Sequence, residues 1–367
     1  MNHTHQRPDE VIEIPVELEN SPYSVFIADG ILDSIGERLR AWRSVGKVAV
    51  VTDSNVAPLY ADRVLSSLTA AGFSPCLIVV PAGEASKCLA GIEMICDAMI
   101  SGGLDRTSMV VALGGGVIGD LAGFAAAVFY RGISYVQVPT TVVAQVDSAV
   151  GGKTGVNATG GKNLIGAFHQ PSMVLCDPST LATLPVREFN EGVAEIIKHA
   201  AIRMPEMLDS LHANQRSGLA PLIAKNVSIK AKIVAADEFE TKGLRALLNF
   251  GHTLGHAIEN VAGYGTLLHG EAISIGLHAA LKLSAKYENL SDADANRVLA
   301  ALRAFDLPLE IPSDLQTTRI FDAMMKDKKF AAGSMRFILL RSLGQPVISN
   351  DVTAEAVREV IASLQAA

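Results

Sequence analysis

The 367-residue chain carries 31 Lys and Arg against 38 Asp and Glu, a formal charge of −7, with 49% hydrophobic and 19% charged residues. That hydrophobicity excludes a disordered chain, and the acidic balance without a basic run disfavours nucleic acid or an anionic membrane surface as a partner. The length suffices for two domains at roughly 100–200 residues each.

Residues 1–10 lack the apolar run of a secretory signal and read as a loose tail. Short strands near Val11–Val16 and Tyr23–Ala28 suggest an antiparallel edge. From Lys47 onward, β-branched runs at Lys47–Thr52, Cys76–Pro81, Ser108–Leu113 and Ser134–Pro139 alternate with helical patterns near Val56–Ala71, Cys88–Ile100 and Val117–Phe129. This alternation predicts βαβ units and a parallel, Rossmann-like sheet in an α/β domain over residues 11–180. The longest apolar stretch, Leu121–Tyr130, is about half of the roughly 20 residues a membrane helix needs, so no span is expected. Val150–Ile165 holds five glycines and two lysines and reads as a long functional loop between the halves. Beyond it, Pro-punctuated segments rich in Ala, Leu and Ile predict an all-α domain over residues 181–367. Cys76, Cys88, Cys96 and Cys176 show no metal spacing and read as reduced core filler of a cytoplasmic protein.

Gly114, Gly116 and Gly119 satisfy G-x-G-x-x-G between a predicted strand and a helix, where glycine lets the backbone approach a pyrophosphate. The ribose-binding acid usual about 20 residues later is missing. Asp53, at the carboxyl end of a buried strand, is a substitute, and for it a ribose hydrogen bond and a helix N-cap are both open.

His252 and His256 stand at i and i+4 on one helix face, His269 follows thirteen residues later, and Glu195 sits on an otherwise apolar helix stripe. A buried acid needs a partner. A divalent cation held by Glu195 and two of the three histidines satisfies all of them; the spacing leaves open which two, and imidazole favours zinc over magnesium. Lys153, Lys162, Asn163, Arg131, Lys198, Lys230, Arg245 and the Lys328–Lys329 pair supply cations and a donor for a ligand bearing phosphate and carboxylate. Taken singly, each of these cations also reads as a solvated surface charge, Lys328 and Lys329 most readily and Arg245, four residues before Asn249, least.

These motifs together, in chain order from residue 20 to 345, resemble the 3-dehydroquinate synthase family of sugar-phosphate cyclases. The resemblance runs through Gly114–Asp120, Pro139–Thr141, Gln145–Gly155, Lys162–Asn163, Ala194–Lys198, Leu247–Ala257 and Leu268–Glu271. It implies a cytoplasmic enzyme of the shikimate pathway, a carbon–oxygen lyase acting on a sugar phosphate, with NAD and zinc as cofactors and cobalt as a substitute. Its active site would lie in the cleft between an α/β and an α-helical domain. By family pattern Glu195, His252 and His269 would hold the metal, and His256 would serve phosphate and proton traffic. NAD would lie along Asp53, Asn55, Glu84, Lys87, Gly114, Gly115, Gly116, Asp120, Thr140, Thr141, Lys153, Lys162 and Thr183. Substrate would meet Asp147, Lys153, Asn163, Lys198, Lys230, Glu240, Arg245, Asn249 and one of Lys328 and Lys329. Arg131 would reach the substrate of a neighbouring subunit, which implies a homodimer. Between Glu240 and Leu244 the spacer Thr-Lys-Gly is one residue longer than the family's. The competing readings are an inosose or valiolone cyclase, a metal-dependent polyol dehydrogenase that accumulates NADH, and a non-catalytic nucleotide-binding protein without an organised metal site.

Overall fold

The computed structural model describes residues 11–366 except 214, 264 and 327–334, so Lys328 and Lys329 lie outside the described residues. The strands are β1 Ile12–Val16, β2 Tyr23–Ile27, β3 Lys47–Asp53, β4 Ser74–Val80, β5 Met109–Gly114, β6 Ser134–Pro139, β7 Lys153–Ala158, β8 Gly161–Phe168, β9 Met173–Cys176, β10 Phe337–Ser342 and β11 Gln345–Ser349. The helices are α1 Ile35–Trp42, α2 Asp62–Ala70, α3 Leu89–Ser101, α4 Gly116–Val128, α5 Val186–Arg203, α6 Ala220–Ala236, α7 His252–Ala262, α8 His269–Glu288, α9 Asp292–Ala304, α10 Thr317–Lys326 and α11 Ala354–Ser363. None of the described helices is long and apolar enough to cross a membrane.

The chain divides into two compact units, one running through Leu184 and including Arg216–Phe239, the other comprising Pro185–Gln215 and Glu240–Ala367. In the first, a seven-stranded sheet has the order β1-β2-β9-β6-β5-β3-β4. All pairs are parallel except β1 with β2, which forms the expected antiparallel edge. The central strands are buried on both faces, which is why they read as unbroken β-branched runs. Ala49, Val51, Val110 and Ala112 pack with Ile95 and Met99 of α3 and Leu121 and Ala125 of α4; Val48, Val50, Val111 and Leu113 pack with Ile35, Leu39, Val64 and Leu68 of α1 and α2. Helix α2 is preceded by a π-helical turn at Ala57–Ala61, so the helical stretch expected from Val56 is not one uniform α-helix.

Two boundaries differ from those expected. Val150–Ile165, expected as a loop, is mostly strand: it forms the greater part of the β7–β8 hairpin, which packs on α4 within the first unit. Its glycines serve strand pairing, since Gly155 lies opposite Gly166, and a Cβ on Gly166 would stand 2.1 Å from the Thr154 carbonyl oxygen. Likewise α6, expected in the second domain, joins the first unit because it packs on β1 and its Lys230 pairs with Asp147.

The second unit is helical apart from the β10–β11 hairpin. Leu254 and Ile258 of α7, Ile275 and Leu283 of α8, Phe321 of α10 and Leu339 of β10 share its core.

Gly166→Ala should destabilise the protein by about 1–3 kcal/mol, the usual cost of overpacking. Urea unfolding followed by circular dichroism measures it, and an unchanged midpoint would show that the hairpin has room.

Candidate functional site

In the first unit the polar residues gather at the carboxyl ends of the strands. The chain leaves β3 for β4 on one side and returns to β5 on the other, so the ends of β3 and β5 flank the switch point at which open α/β sheets bind ligands. Asp53 closes β3 there, and Gly114 closes β5. Asp53 Oδ1 accepts from the backbone N–H of Asn55 at 2.8 Å and of Val56 at 3.0 Å, so it caps its own turn. The Gly114–Gly116 turn starts α4. A Cβ on Gly114 would meet Ile118 Cβ at 2.7 Å, and one on Gly115 would meet the Thr141 methyl at 3.0 Å. The turn therefore presents bare backbone, and the first N–H groups of α4 have no intrahelical acceptor. Thr140 N–H donates to Gly114 O at 3.0 Å, which brings Thr140 and Thr141 against this turn.

Around the start of α3 and the β8 strand, Lys87 Nζ donates to Asp120 Oδ2 and to Asn163 Oδ1, both at 2.6 Å. Lys87 is buried, and burial pushes the Asp120 carboxyl above its ordinary value against the pull of Lys87, although 20% of that side chain stays exposed. Glu84 accepts from Asn157 Nδ2 at 2.8 Å and lies 3.8 Å from Lys162 Nζ. Asn157 Oδ1 also accepts from the backbone N–H of Asn163, which stands at φ +54°. The sequence reading missed Asn157, whose signal was only its place in the glycine-rich stretch. Lys230 pairs with Asp147 through both its carboxylate and its carbonyl. Thr183 Oγ1 lies 2.6 Å from the Tyr60 hydroxyl, and Lys153 is exposed at the start of β7.

Arg131 stands apart. It follows α4, which runs about 20 Å back from Gly116 toward the amino ends of the strands. There Tyr130 and Arg131 are both left-handed, at φ +48° and +71°, and Arg131 is exposed.

In the second unit α5, α7 and α8 bring four predicted residues together. Helices α7 and α8 pack backbone to backbone, because a Cβ on Gly276 would stand 2.1 Å from Gly251 O. That approach sets His252 and His256 of α7 beside His269, the first residue of α8, with ring centroids 5.1–5.8 Å apart. Glu195 of α5 is 1% exposed; its Oε1 lies 3.4 Å from His252 Nε2 and 3.3 Å from His269 Nε2, and its Oε2 pairs with Lys198. Neither oxygen accepts a well-formed hydrogen bond. Two ligands at the usual zinc–nitrogen and zinc–oxygen lengths of about 2.0–2.1 Å around a tetrahedral ion stand about 3.3 Å apart. Glu195 Oε1 stands at that spacing from each of the two imidazoles, and the imidazoles of His252, His256 and His269 form a group whose ligand atoms lie within 4.8 Å of one another.

The other ring nitrogens are engaged. His252 Nδ1 is 3.1 Å from Phe250 O, and His269 Nδ1 is 3.4 Å from Glu259 Oε2. Burial lowers the His252 pKa. For His269 burial pulls the same way, but the Glu195 and Glu259 carboxylates outweigh it and push the imidazole up to about 10. Glu195 is held well below the ordinary carboxylate range by Lys198 and His252, despite its burial. The pocket thus favours positive charge beside Glu195, and a metal ion binding there would displace the imidazole proton. Glu191, one turn before Glu195, accepts from Gly270 N–H at 2.7 Å, and burial pushes its carboxyl up to about 7. The sequence reading passed over Glu191 and Glu259, whose signal was their helical spacing from the ligand candidates. Arg245 is buried, with its Nε 3.6 Å from Glu240, and it precedes Asn249 on one short 3₁₀ turn.

A sequence profile described as 3-dehydroquinate synthase N-terminal matches residues 77–191, and one described as 3-dehydroquinate synthase C-terminal matches residues 192–330. A 3-dehydroquinate synthase of Desulforamulus reducens is 47% identical over 346 residues, covering 92% of this chain and 96% of its own. Among solved structures, the 2-epi-5-epi-valiolone synthase of Streptomyces hygroscopicus, with NAD+ and Zn2+ bound, is similar at a TM-score of 0.86 and 30% identity, covering 95% of this chain and 98% of that one. A 2-deoxy-scyllo-inosose synthase in complex with carbaglucose-6-phosphate, NAD+ and Co2+ has a TM-score of 0.86 at 26% identity, covering 96% of this chain and 99% of that one.

Lys87→Met should lower stability by about 1–3 kcal/mol by leaving Asp120 without its cation, and adding Asp120→Asn should restore part of the loss. Thermal melts of the single and double variants check this; equal losses would show that the pair is uncoupled.

Proposed function

The chain belongs to the 3-dehydroquinate synthase family, and we propose that Glu195, His252 and His269 hold its metal ion while the glycine turn holds its dinucleotide. The enzyme converts 3-deoxy-D-arabino-heptulosonate 7-phosphate into 3-dehydroquinate and phosphate, a step of aromatic amino acid biosynthesis. The observation that carries the residue assignment is the buried Glu195 carboxylate, without a well-formed hydrogen bond and aimed at two imidazole nitrogens 3.3–3.4 Å away.

Bound NAD would supply a reversible acceptor for the hydride on the substrate's carbinol carbon, and a zinc or cobalt ion held by Glu195, His252 and His269 would supply a Lewis acid for the hydroxyl on that carbon. The chain's own residues do the rest. We assign Gly114, Gly115 and Gly116 to the pyrophosphate, and Asp53, Asn55, Thr140, Thr141 and Thr183 to the remainder of the dinucleotide. Glu84, Lys87, Asp120 and Lys162 form one connected network, and their task is to fix the cofactor against the sheet. We assign Asp53 to the ribose in addition to the turn cap it makes through Oδ1.

For a substrate that carries a carboxylate and a phosphate dianion we assign Lys153, Asn163 and Lys230 of the first unit and Lys198, Arg245 and Asn249 of the second as the residues that recognise it. Asp147 orients Lys230, and Glu240 orients Arg245. Lys198, paired with Glu195, would hold a proton for the hydroxyl that is oxidised. Oxidation next to a C–H bond makes that proton acidic, and the departing phosphate can remove it. Orientation of the dianion is then the main catalytic term, and His256 keeps a proton within reach of it. Arg131, just beyond the end of α4, serves the substrate of a second subunit in a homodimer, and the protein works in the cytoplasm.

Purified protein with NAD and zinc should release phosphate stoichiometrically from 3-deoxy-D-arabino-heptulosonate 7-phosphate without accumulating NADH, and a chelator should stop it. Rising NADH on a simple polyol, with no phosphate, would move the chain to the dehydrogenase reading. For the shared subunit, Arg131→Ala and Lys198→Ala should each be inactive and regain activity when mixed; mixtures that stay inactive would confine Arg131 to its own chain.

A further inference from the structure

We infer that Glu259 is a positioning residue for the metal centre, orienting His269 through its outer ring nitrogen. The inference rests on the metal assignment made above. Helix α7 carries His252, His256 and Glu259 at i, i+4 and i+7, which places all three on one stripe. Glu259 is 6% exposed, and a buried acid is costly unless a donor or cation meets it. His269, on the neighbouring helix, meets it at 3.4 Å through Nδ1, while Nε2 of the same ring points to Glu195 at 3.3 Å.

A neutral imidazole has one N–H. Placed on Nδ1 and donated to Glu259, it leaves the Nε2 lone pair directed at Glu195, the tautomer a metal ligand requires. His252 reaches the same tautomer differently, through the Phe250 carbonyl at 3.1 Å. A carboxylate behind the ring makes His269 the more electron-rich of the two ligands. The backbone beside His269 is already fixed, because Gly270 N–H donates to Glu191. What remains free without Glu259 is the rotation of the ring itself.

Cobalt(II) titration of the zinc-stripped full chain, followed by visible absorption, tests this in the wild type, Glu259→Gln and Glu259→Leu, with far-ultraviolet circular dichroism as the check on folding. Cobalt affinity should fall about 10- to 100-fold in Glu259→Leu, the usual loss for an outer-shell partner. Glu259→Gln, whose amide oxygen still accepts from Nδ1 but carries no charge, should fall between it and the wild type. Wild-type affinity in both folded variants would overturn the inference. If Glu259→Leu does not fold, Glu259→Gln decides alone, weaker binding supporting the role and unchanged binding overturning it. A wild type that takes up no cobalt would overturn the metal assignment itself.

Discussion

A carboxylate almost wholly out of water, with no well-formed hydrogen bond, is the constraint from which the rest of the second unit follows. Glu195 is tolerable in the core of α5 only because Lys198 and two imidazoles stand around it. Bringing the imidazoles there requires α7 and α8 to approach closer than side chains allow, and Gly276 against the Gly251 carbonyl makes that approach possible. The same packing buries Glu259 behind His269 and places the Glu191 carboxylate at the first turn of α8. Chemistry and packing coincide here, since the charges proposed to hold a metal also fix the helices that present them.

The first unit solves a different problem. A dinucleotide is anionic and extended, and what the sheet offers to the one proposed for it is bare backbone at the end of β5 and a set of paired polar groups. Lys87 is shared between Asp120 and Asn163, so a residue of α4 and a residue of the β7–β8 hairpin are tied to one cation. The hairpin thus acts as a structural part of the site.

Much of this was legible in the chain. The central strands announce themselves because burial on both faces demands uninterrupted β-branched runs, and the glycine turn because few other reasons place three glycines between a strand and a helix. The His252–His256 pair was legible because i, i+4 spacing has one geometric meaning on a helix. The hairpin was not, since its glycines exist for cross-strand contact between Gly155 and Gly166, a relation that only the folded register reveals. Nor was the place of α6, decided by a pair 83 residues apart in sequence, Lys230 with Asp147. Glu259 had the right spacing from both histidines, but its meaning depends on α8, a neighbour that spacing along α7 cannot supply.

If the Glu195 carboxylate is there to hold a metal ion, removing its charge should empty the site of metal. Elemental analysis of wild-type protein and Glu195→Gln, purified identically and matched for fold by circular dichroism, should find one zinc per chain in the former and almost none in the latter. A full complement of zinc in folded Glu195→Gln would show that Glu195 takes no part in holding the metal.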